Sequence, residues 1–372
     1  MAFSPQQDDA LRAVAEWLAL PVGSRQPIFR LFGFAGTGKT TLARHIAEDV
    51  DGDVQFGAFT GKAAQVLRNK GAANARTIHS LIYRPRGEGE EDEDGKFSPA
   101  FSLNRQSNIS KAELIIIDEC SMVDEDLGRD LLSFGVPVLV LGDPGQLPPV
   151  SGGGFFTEAE PDFMLTEVHR QARDNPIIDL AMRVREGGQL SHGSYGESAV
   201  ISRDAIDRDA ILDADQVLVG TNRTRQRYNA RLRELKGFDG RLPQSGDRLV
   251  CLRNDAAKGL LNGSLWNVKT ASARSGPALH MLVQPEDDGG QGSAKIKVLK
   301  EAFEGNSADI PWQSKRRYDD FDFGYALTVH KSQGSQWDDV FLFDESYAFK
   351  DSRERWLYTA ITRAAERITI VR

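Results

Sequence analysis

Eight consecutive residues, Gly33-Phe34-Ala35-Gly36-Thr37-Gly38-Lys39-Thr40, match the pattern G-x-x-x-x-G-K-[ST] at every fixed position. They follow an apolar run at 28–34 and open a helical pattern at 40–50. This is the strand–turn–helix setting in which the pattern has a mechanism. Glycines let the turn close tightly, so successive backbone N–H groups converge on a phosphate at the positive end of the helix. The candidate cradle is Gly36, Thr37, Gly38, Lys39, Thr40 and Thr41. Lys39 would reach the β- and γ-phosphates of a bound nucleotide, and the Thr40 hydroxyl would ligate Mg²⁺.

A cradle only binds; hydrolysis needs an acid-base group beside the metal. The run Glu113-Leu-Ile-Ile-Ile117-Asp118-Glu119 supplies two carboxylates at the end of an apolar strand. Asp118 can hold the metal's water shell, and Glu119 can orient and deprotonate the attacking water. The adjacent pair favours hydrolysis over transfer to another substrate. A third apolar run, VPVLVL, enters Gly142-Asp143-Pro144-Gly145-Gln146-Leu147-Pro148-Pro149. Gln146 is the candidate γ-phosphate sensor, although a proline-rich turn of this kind is equally a structural loop. Positive charge for the transition state must come from another surface. Arg170 and Arg363 are two candidates, and a surface salt bridge is the ordinary reading of either.

These residues need a scaffold. Ser4-Pro5 followed by Leu11, Val14, Trp17 and Leu18 at helical spacing predicts a capped amphipathic helix. Strand-like runs at 28–34, 54–59, 114–117 and 136–141, separated by helical patterns at 40–50 and 62–70, predict a parallel sheet covered by helices. A second set follows, with strands at 217–220, 340–343 and 368–371 and a helix at 223–235. The expected fold class is therefore α/β, in two units spanning 1–165 and 166–372. Two segments break the rhythm. Residues 84–111 have glycine, proline and charge without a period, as in an exposed hairpin or loop. Residues 246–303 carry short β-rich runs between Gly, Asn and Asp turns, as in a small inserted β-barrel.

The chain has 372 residues, 40% hydrophobic and 27% charged. These values suit two or three ordinary folded domains and exclude a fibre, a disordered chain or a disulfide scaffold. The net charge is −8, but much of it lies in Glu88, Glu90, Glu91, Asp92, Glu93 and Asp94. The remainder is near neutral, so nucleic-acid binding would need a local groove. The two cysteines, Cys120 and Cys251, lack metal-ligand spacing and fit a reduced compartment. No leader pattern opens the sequence and its longest apolar runs are strand-length, so a cytoplasmic protein without a membrane span is expected.

Taken in order, GFAGTGKT, FTGKAAQVLR, TIHSLIY, IIIDECSMVD, LVLGDPGQLPPV, LTEVHRQ, GYALTVHKSQGSQWDDV and YTAITRA resemble the motifs of superfamily 1 DNA helicases. The likeness is to the RecD-like and phage Dda-like branch and runs from residue 4 to residue 366. It implies two RecA-like P-loop NTPase motor domains, ATP with Mg²⁺, and 5′→3′ movement on single-stranded DNA with unwinding. Gln7 would read adenine, with Gln6 as its neighbouring rival. Arg170 and Arg363 match the two arginine fingers, and Gly334 lies in the motif joining nucleotide to DNA. Thr60, Lys62, Thr77 and His79 would hold the strand across the first domain, and Asn222, Thr328, His330 and Ser332 across the second. His79 also reads as a structural histidine.

The same likeness makes 84–111 a strand-separating hairpin, for which its acidity is unusual, and 246–303 an SH3-like barrel. Phe97, Phe101, Trp266 and Trp337 are candidates for base stacking and equally for core. The implied partners of a monomer are single strands, single/double-strand junctions, a single-strand binding protein and replication, recombination or repair proteins. A translocase that strips proteins and a nucleotide-controlled binding module are the alternatives.

Overall fold

Apolar runs without alternation belong to strands covered on both faces. In the computed structural model, Leu114–Asp118 is such a strand, with Leu114, Ile115, Ile116 and Ile117 all fully buried. The structure describes residues 3–85, 90–91, 97–98, 101–148, 154–167, 175–255, 257–273, 276–286, 292–305 and 310–372. The first sheet runs Phe163–Leu165, Ile28–Gly33, Val138–Gly142, Leu114–Asp118, Val54–Ala58, Arg76–Thr77, every pair parallel. Helices Pro5–Ala19, Lys39–Asp49 and Gly61–Asn69 bury Val14, Leu42 and Leu67 against one face. Ile78, Leu81, Leu127 and Leu131 cover the other. The first helix starts in a reciprocal cap: Ser4 Oγ accepts from Gln7 N, and Gln7 Oε1 accepts from Ser4 N.

The second unit repeats the plan. Its sheet runs Gly193–Tyr195, Ser198–Ile201, Ala364–Val371, Trp337–Phe343, Gln216–Val219, Ala326–Thr328, parallel except at the first pair. Helices Pro176–Arg185 and Arg353–Ile361 pack Leu180, Trp356 and Ile361 on one face, and Asn222–Leu235 places Leu232 on the other. Among the described residues no helix is long and apolar enough to cross a membrane.

The two segments that break the sequence rhythm both contain antiparallel strand pairs. Residues 246–303 contribute four strands of an antiparallel sheet, Arg248–Cys251, Leu265–Ala273, Ala278–Pro285 and Ala294–Leu299. A fifth, Phe321–Phe323, pairs with Arg248–Cys251 from beyond that range; three residues carry too little periodicity to be read in a sequence. Tyr83–Pro85 pairs antiparallel with Phe101–Leu103, and Glu90–Glu91 with Phe97–Ser98. Residues 108–111 belong to the body instead, because Ile109 is fully buried in the first core. Trp266 is likewise fully buried, with Nε1 donating to Ser264 Oγ at 2.8 Å, and so belongs to the core of the inserted sheet and not to a stacking surface. Trp337 packs partly buried on the second core. The side chains of Phe97 and Phe101 lie outside the described residues. Both cysteines are buried.

A buried ion pair ties the inserted sheet to its unit. Arg233 Nε and Nη2 reach Asp247 Oδ1 and Oδ2, each at 2.8 Å, and Tyr325 Oη donates to Oδ1 at 2.8 Å. Asp247 is fully buried. Removing one partner strands the other charge, so Asp247→Ala is expected to lower the unfolding free energy by about 3–5 kcal/mol in a denaturant titration. A loss below about 1 kcal/mol would mean the pair behaves like an exposed bridge.

Candidate active site

The turn between Ile28–Gly33 and Lys39–Asp49 closes through Gly38, whose φ of 82° would strain any side chain. Lys39 folds back on this turn, its Nζ donating to Gly33 O at 2.6 Å and Phe34 O at 3.0 Å. Thr37 is buried with its hydroxyl on Phe34 O at 2.8 Å. Its backbone, not its side chain, therefore faces the cradle. Gln7 braces the turn from outside, Nε2 donating to Thr37 O at 3.1 Å. Gln6 instead holds the end of the edge strand, its Oε1 accepting from Thr166 N and Glu167 N at 2.9 and 2.8 Å.

Two strands away, Asp118 meets the helix start. Thr40 Oγ1 donates to Asp118 Oδ2 at 3.2 Å, and Glu119 N donates to Oδ1 at 2.9 Å. Although one edge of Asp118 opens on the cavity, protein surrounds the carboxylate. Burial first, and then the Glu119 charge, raise it above the ordinary carboxylate value, with Lys39 and Thr40 pulling partly the other way. Glu119 itself sits at φ 53°, ψ 47°, a left-handed conformation that costs a non-glycine residue about 1–3 kcal/mol. Gln146 is buried and its Oε1 has no hydrogen-bond partner among the described residues. A buried acceptor left over in this way is suited to a polar ligand or a water.

Gly36, Gly38, Lys39, Thr40, Thr41, Asp118, Glu119 and Gln146 line a cavity of about 320 Å³ together with Gly334 and Arg363 of the second unit, whereas Gln7 and Thr37 do not line it. Arg363 is almost fully buried, held by Thr359 O (3.1 Å), Ser335 O (3.2 Å) and Thr362 Oγ1 (3.2 Å). Gly334 has φ 76°, and a Cβ there would stand 2.9 Å from Ala63 Cβ and 3.1 Å from Thr60 Oγ1. Arg170 lies outside the described residues. Sequence reasoning passed over Asp143 and Tyr358, although both lie inside motifs it had marked; Tyr358 Oη donates to Asp143 Oδ2 at 2.7 Å across the two units.

The residues expected on the single strand are distributed over both units. Thr60, Thr77 and Thr328 each cap a helix start, accepting from Ala63 N (3.1 Å), Ser80 N (3.3 Å) and Lys331 N (3.3 Å). Lys62 is half-buried beside them, its ammonium pKa pushed down by burial and partly restored by Glu286. His79 stands exposed, edge-on to Phe59 at 6.3 Å and tilted against Tyr83 at 5.6 Å. Asn222 is exposed at the start of its helix. His330 tilts on Phe349 at 5.4 Å, and burial lowers its pKa. Ser332 is fully buried with its hydroxyl on Val329 O at 2.8 Å, so its side chain is turned away from a surface strand.

Residues 2–203 match the family model of an AAA domain, and residues 323–371 that of a UvrD-like helicase C-terminal domain. The chain belongs to the superfamily 1 helicases of the RecD and Pif1 type. It is 30% identical over 369 residues to the ATP-dependent RecD2 DNA helicase of Deinococcus radiodurans, covering 91% of this chain and 46% of that one. It is 26% identical to a conjugal transfer protein TraA of Rhizobium radiobacter, covering 89% and 30%. The chain thus spans less than half the length of these relatives. A crystal structure of Pif1 helicase from Bacteroides in complex with ADP-AlF3 and ssDNA shares the fold, at 18% identity and a TM-score of 0.58, covering 99% of this chain and 92% of that one.

Asp118 is a carboxylate held against burial. Because its pKa in the folded chain exceeds the ordinary 3.8, ionisation opposes folding increasingly as pH rises through that range. Asp118→Asn is expected to raise the melting temperature by a few degrees at neutral pH. The gain should vanish below the ordinary carboxylate value. Thermal unfolding at both pH values checks it, and an unchanged or lower neutral-pH melting temperature would contradict it.

Proposed function

We propose that the chain is an ATP-dependent DNA helicase that moves 5′→3′ along single-stranded DNA and separates duplex. The observation that carries this reading is the single cavity in which Lys39, Thr40, Asp118, Glu119 and Gln146 of one unit face Arg363 of the other. Binding would draw Lys39 from the Gly33 and Phe34 carbonyls onto the β- and γ-phosphates of ATP. Thr40 and Asp118, already in contact, are the donor set that would hold Mg²⁺, which when bound supplies charge neutralisation at the phosphates. Glu119 orients the attacking water and takes its proton onto the carboxylate. Gln146 donates its amide N–H to the γ-phosphate, and its Oε1, which has no partner among the described residues, accepts from a water. Arg363 completes the charge at the transition state from the opposite unit, and Arg170 is the proposed second finger.

Closure of the two units over ATP and their reopening after hydrolysis would change the spacing between phosphates held at Thr60, Lys62, Thr77 and His79 and those held at Asn222, Thr328 and His330. In this reading Gln7 shapes the adenine site, the sheet built on residues 246–303 is an SH3-like barrel, and the paired segments at 83–103 form the strand-separating hairpin. The Bacteroides Pif1 structure, a complex with both ADP-AlF3 and ssDNA, supports the same pairing of ligands here.

Arg363→Ala is expected to lower kcat by ~10³, and a loss below about threefold would return Arg363 to a packing role. The reading as a whole is tested by ATP hydrolysis with and without single-stranded DNA, alongside unwinding of duplexes bearing a 5′ or a 3′ tail. DNA-stimulated hydrolysis with unwinding from the 5′ tail alone is expected. Stimulated hydrolysis without strand separation would replace the helicase by a translocase, and a near-zero rate would leave a nucleotide-controlled binding module.

A further inference from the structure

We infer that Tyr358 is a positioning residue of the hydrolytic site, holding the phosphate-binding turn and the loop that carries Gln146 in register with Arg363. The inference rests on the ATP-hydrolysing reading given above. Tyr358 lies in the helix Arg353–Ile361 of the second unit and is 1% exposed. Its hydroxyl donates to Asp143 Oδ2 at 2.7 Å and accepts from Ala35 N at 3.0 Å. Both partners belong to the first unit, and they come from two different loops: Ala35 from the phosphate-binding turn, Asp143 from the segment entering Gln146. One phenol therefore uses its donor on one loop and a lone pair on the other.

The grip extends to both neighbours of Gln146. Asp143 Oδ1 accepts from Gly145 N at 2.9 Å. On the far side, Leu147 N donates to Thr359 Oγ1 at 2.9 Å, and Leu147 O accepts from Gln333 Nε2 at 3.0 Å. Gln146 is thus fixed from residue 145 through Asp143 and Tyr358, and from residue 147 by two further side chains of the second unit. Arg363 hangs from the same helix, with Nε on Thr359 O at 3.1 Å. The sensor and the arginine consequently share one support, although they belong to different units.

Packing alone does not require the hydroxyl. The Tyr358 ring is part of the second core, and a Cβ on Gly145 would already stand 3.0 Å from its Cε1. Phenylalanine would fill that space equally. What it would lose is the bond to a carboxylate that is nearly fully buried, and the partner of a backbone N–H in the phosphate-binding turn. Leaving both underpaired lets the two loops drift relative to each other without emptying the core.

The test is Tyr358→Phe in the full chain, with its melting temperature recorded. Two readouts are needed: equilibrium binding of ADP and of ADP–aluminium fluoride with Mg²⁺, and steady-state hydrolysis at saturating oligo(dT). ADP affinity and the KM for ATP should stay within about threefold of the parent, while ADP–aluminium fluoride binds at least ~10-fold more weakly and kcat falls by about 10- to 100-fold. Should the variant fail to fold, Asp143→Asn, whose single amide oxygen can accept from the Tyr358 hydroxyl or from Gly145 N but not from both, is expected to show the same split. Unchanged affinity for the mimic with unchanged kcat would reduce Tyr358 to packing. Parallel weakening of ADP and mimic would make it a general brace of the turn, and would also overturn the inference. A parent chain that binds neither nucleotide would instead overturn the ATP-hydrolysing reading, and this inference with it.

Discussion

One loop of the first unit is held inside the second, and the geometry of the proposed nucleotide site depends on that grip. Leu147 is buried in the same apolar cluster as Trp356, Leu357 and Ile361, so the segment from Asp143 to Leu147 leaves its own sheet and ends in the neighbour's core. Parallel strands make this possible. Their carboxyl ends all open toward one edge, where loops from different strands can converge on a ligand. Gly33, Asp118 and Gly142 end three such strands. The second unit supplies the opposite wall of the cavity beside them, with Gly334 and Arg363 among its residues.

Within that cavity the chain accepts several local penalties together. Asp118 carries a charge that burial opposes, Glu119 holds a left-handed backbone, and Gln146 leaves an oxygen unpaired. Each would be destabilising in an ordinary core. All three lie within the span that a nucleotide triphosphate and its metal would occupy. Positive charge answers the first, and a proton donor or a bound water the last. Lys39 shows the same preference from the opposite side, since its ammonium rests on two carbonyls of the turn that it can exchange for phosphate oxygens. The apolar strands on either side, buried on both faces, supply the stability against which such a site can be held ready.

Much of this was legible in the sequence, for a definite reason. The glycine-rich turn, Asp118–Glu119 and the two α/β units are contiguous patterns in which neighbours in the chain are neighbours in space. The apolar runs 114–117 and 136–141 gave their strands because no alternation interrupts them. What escaped was non-local. Nothing near Tyr358 in the chain announces that its hydroxyl meets Ala35 and Asp143, more than two hundred residues away. Ser332 stands in a motif expected to touch a strand, yet a tight helical turn directs its hydroxyl to Val329 O. Trp266 offered a stacking surface by type alone, while its place in Leu265–Ala273 buries it. The three-residue strand Phe321–Phe323 was too short to carry any period, and only its pairing with Arg248–Cys251 reveals it.

The helix Gly61–Asn69 lies between the cavity and the proposed strand path. Its inner residues Ala63 and Val66 line the nucleotide cavity, and Thr60 at its cap packs against Gly334 of the second unit. Its outer start touches the inserted sheet: a Cβ on Gly61 would fall 2.9 Å from Leu261 Cβ, and one on Gly263 would fall 3.9 Å from Lys62 Cβ. The sheet is in turn locked to the second unit through Arg233–Asp247 and Arg225–Asp322. The first unit is therefore held at one helix start by the second, on one side directly at Gly334 and on the other through the insert. Only glycine permits this approach at Gly61 and Gly334, where a Cβ would crowd its neighbours. The proposed strand path at Thr60 and Lys62 and the cavity wall at Ala63 are thus carried on one helix start, against which Gly334 of the second unit is placed.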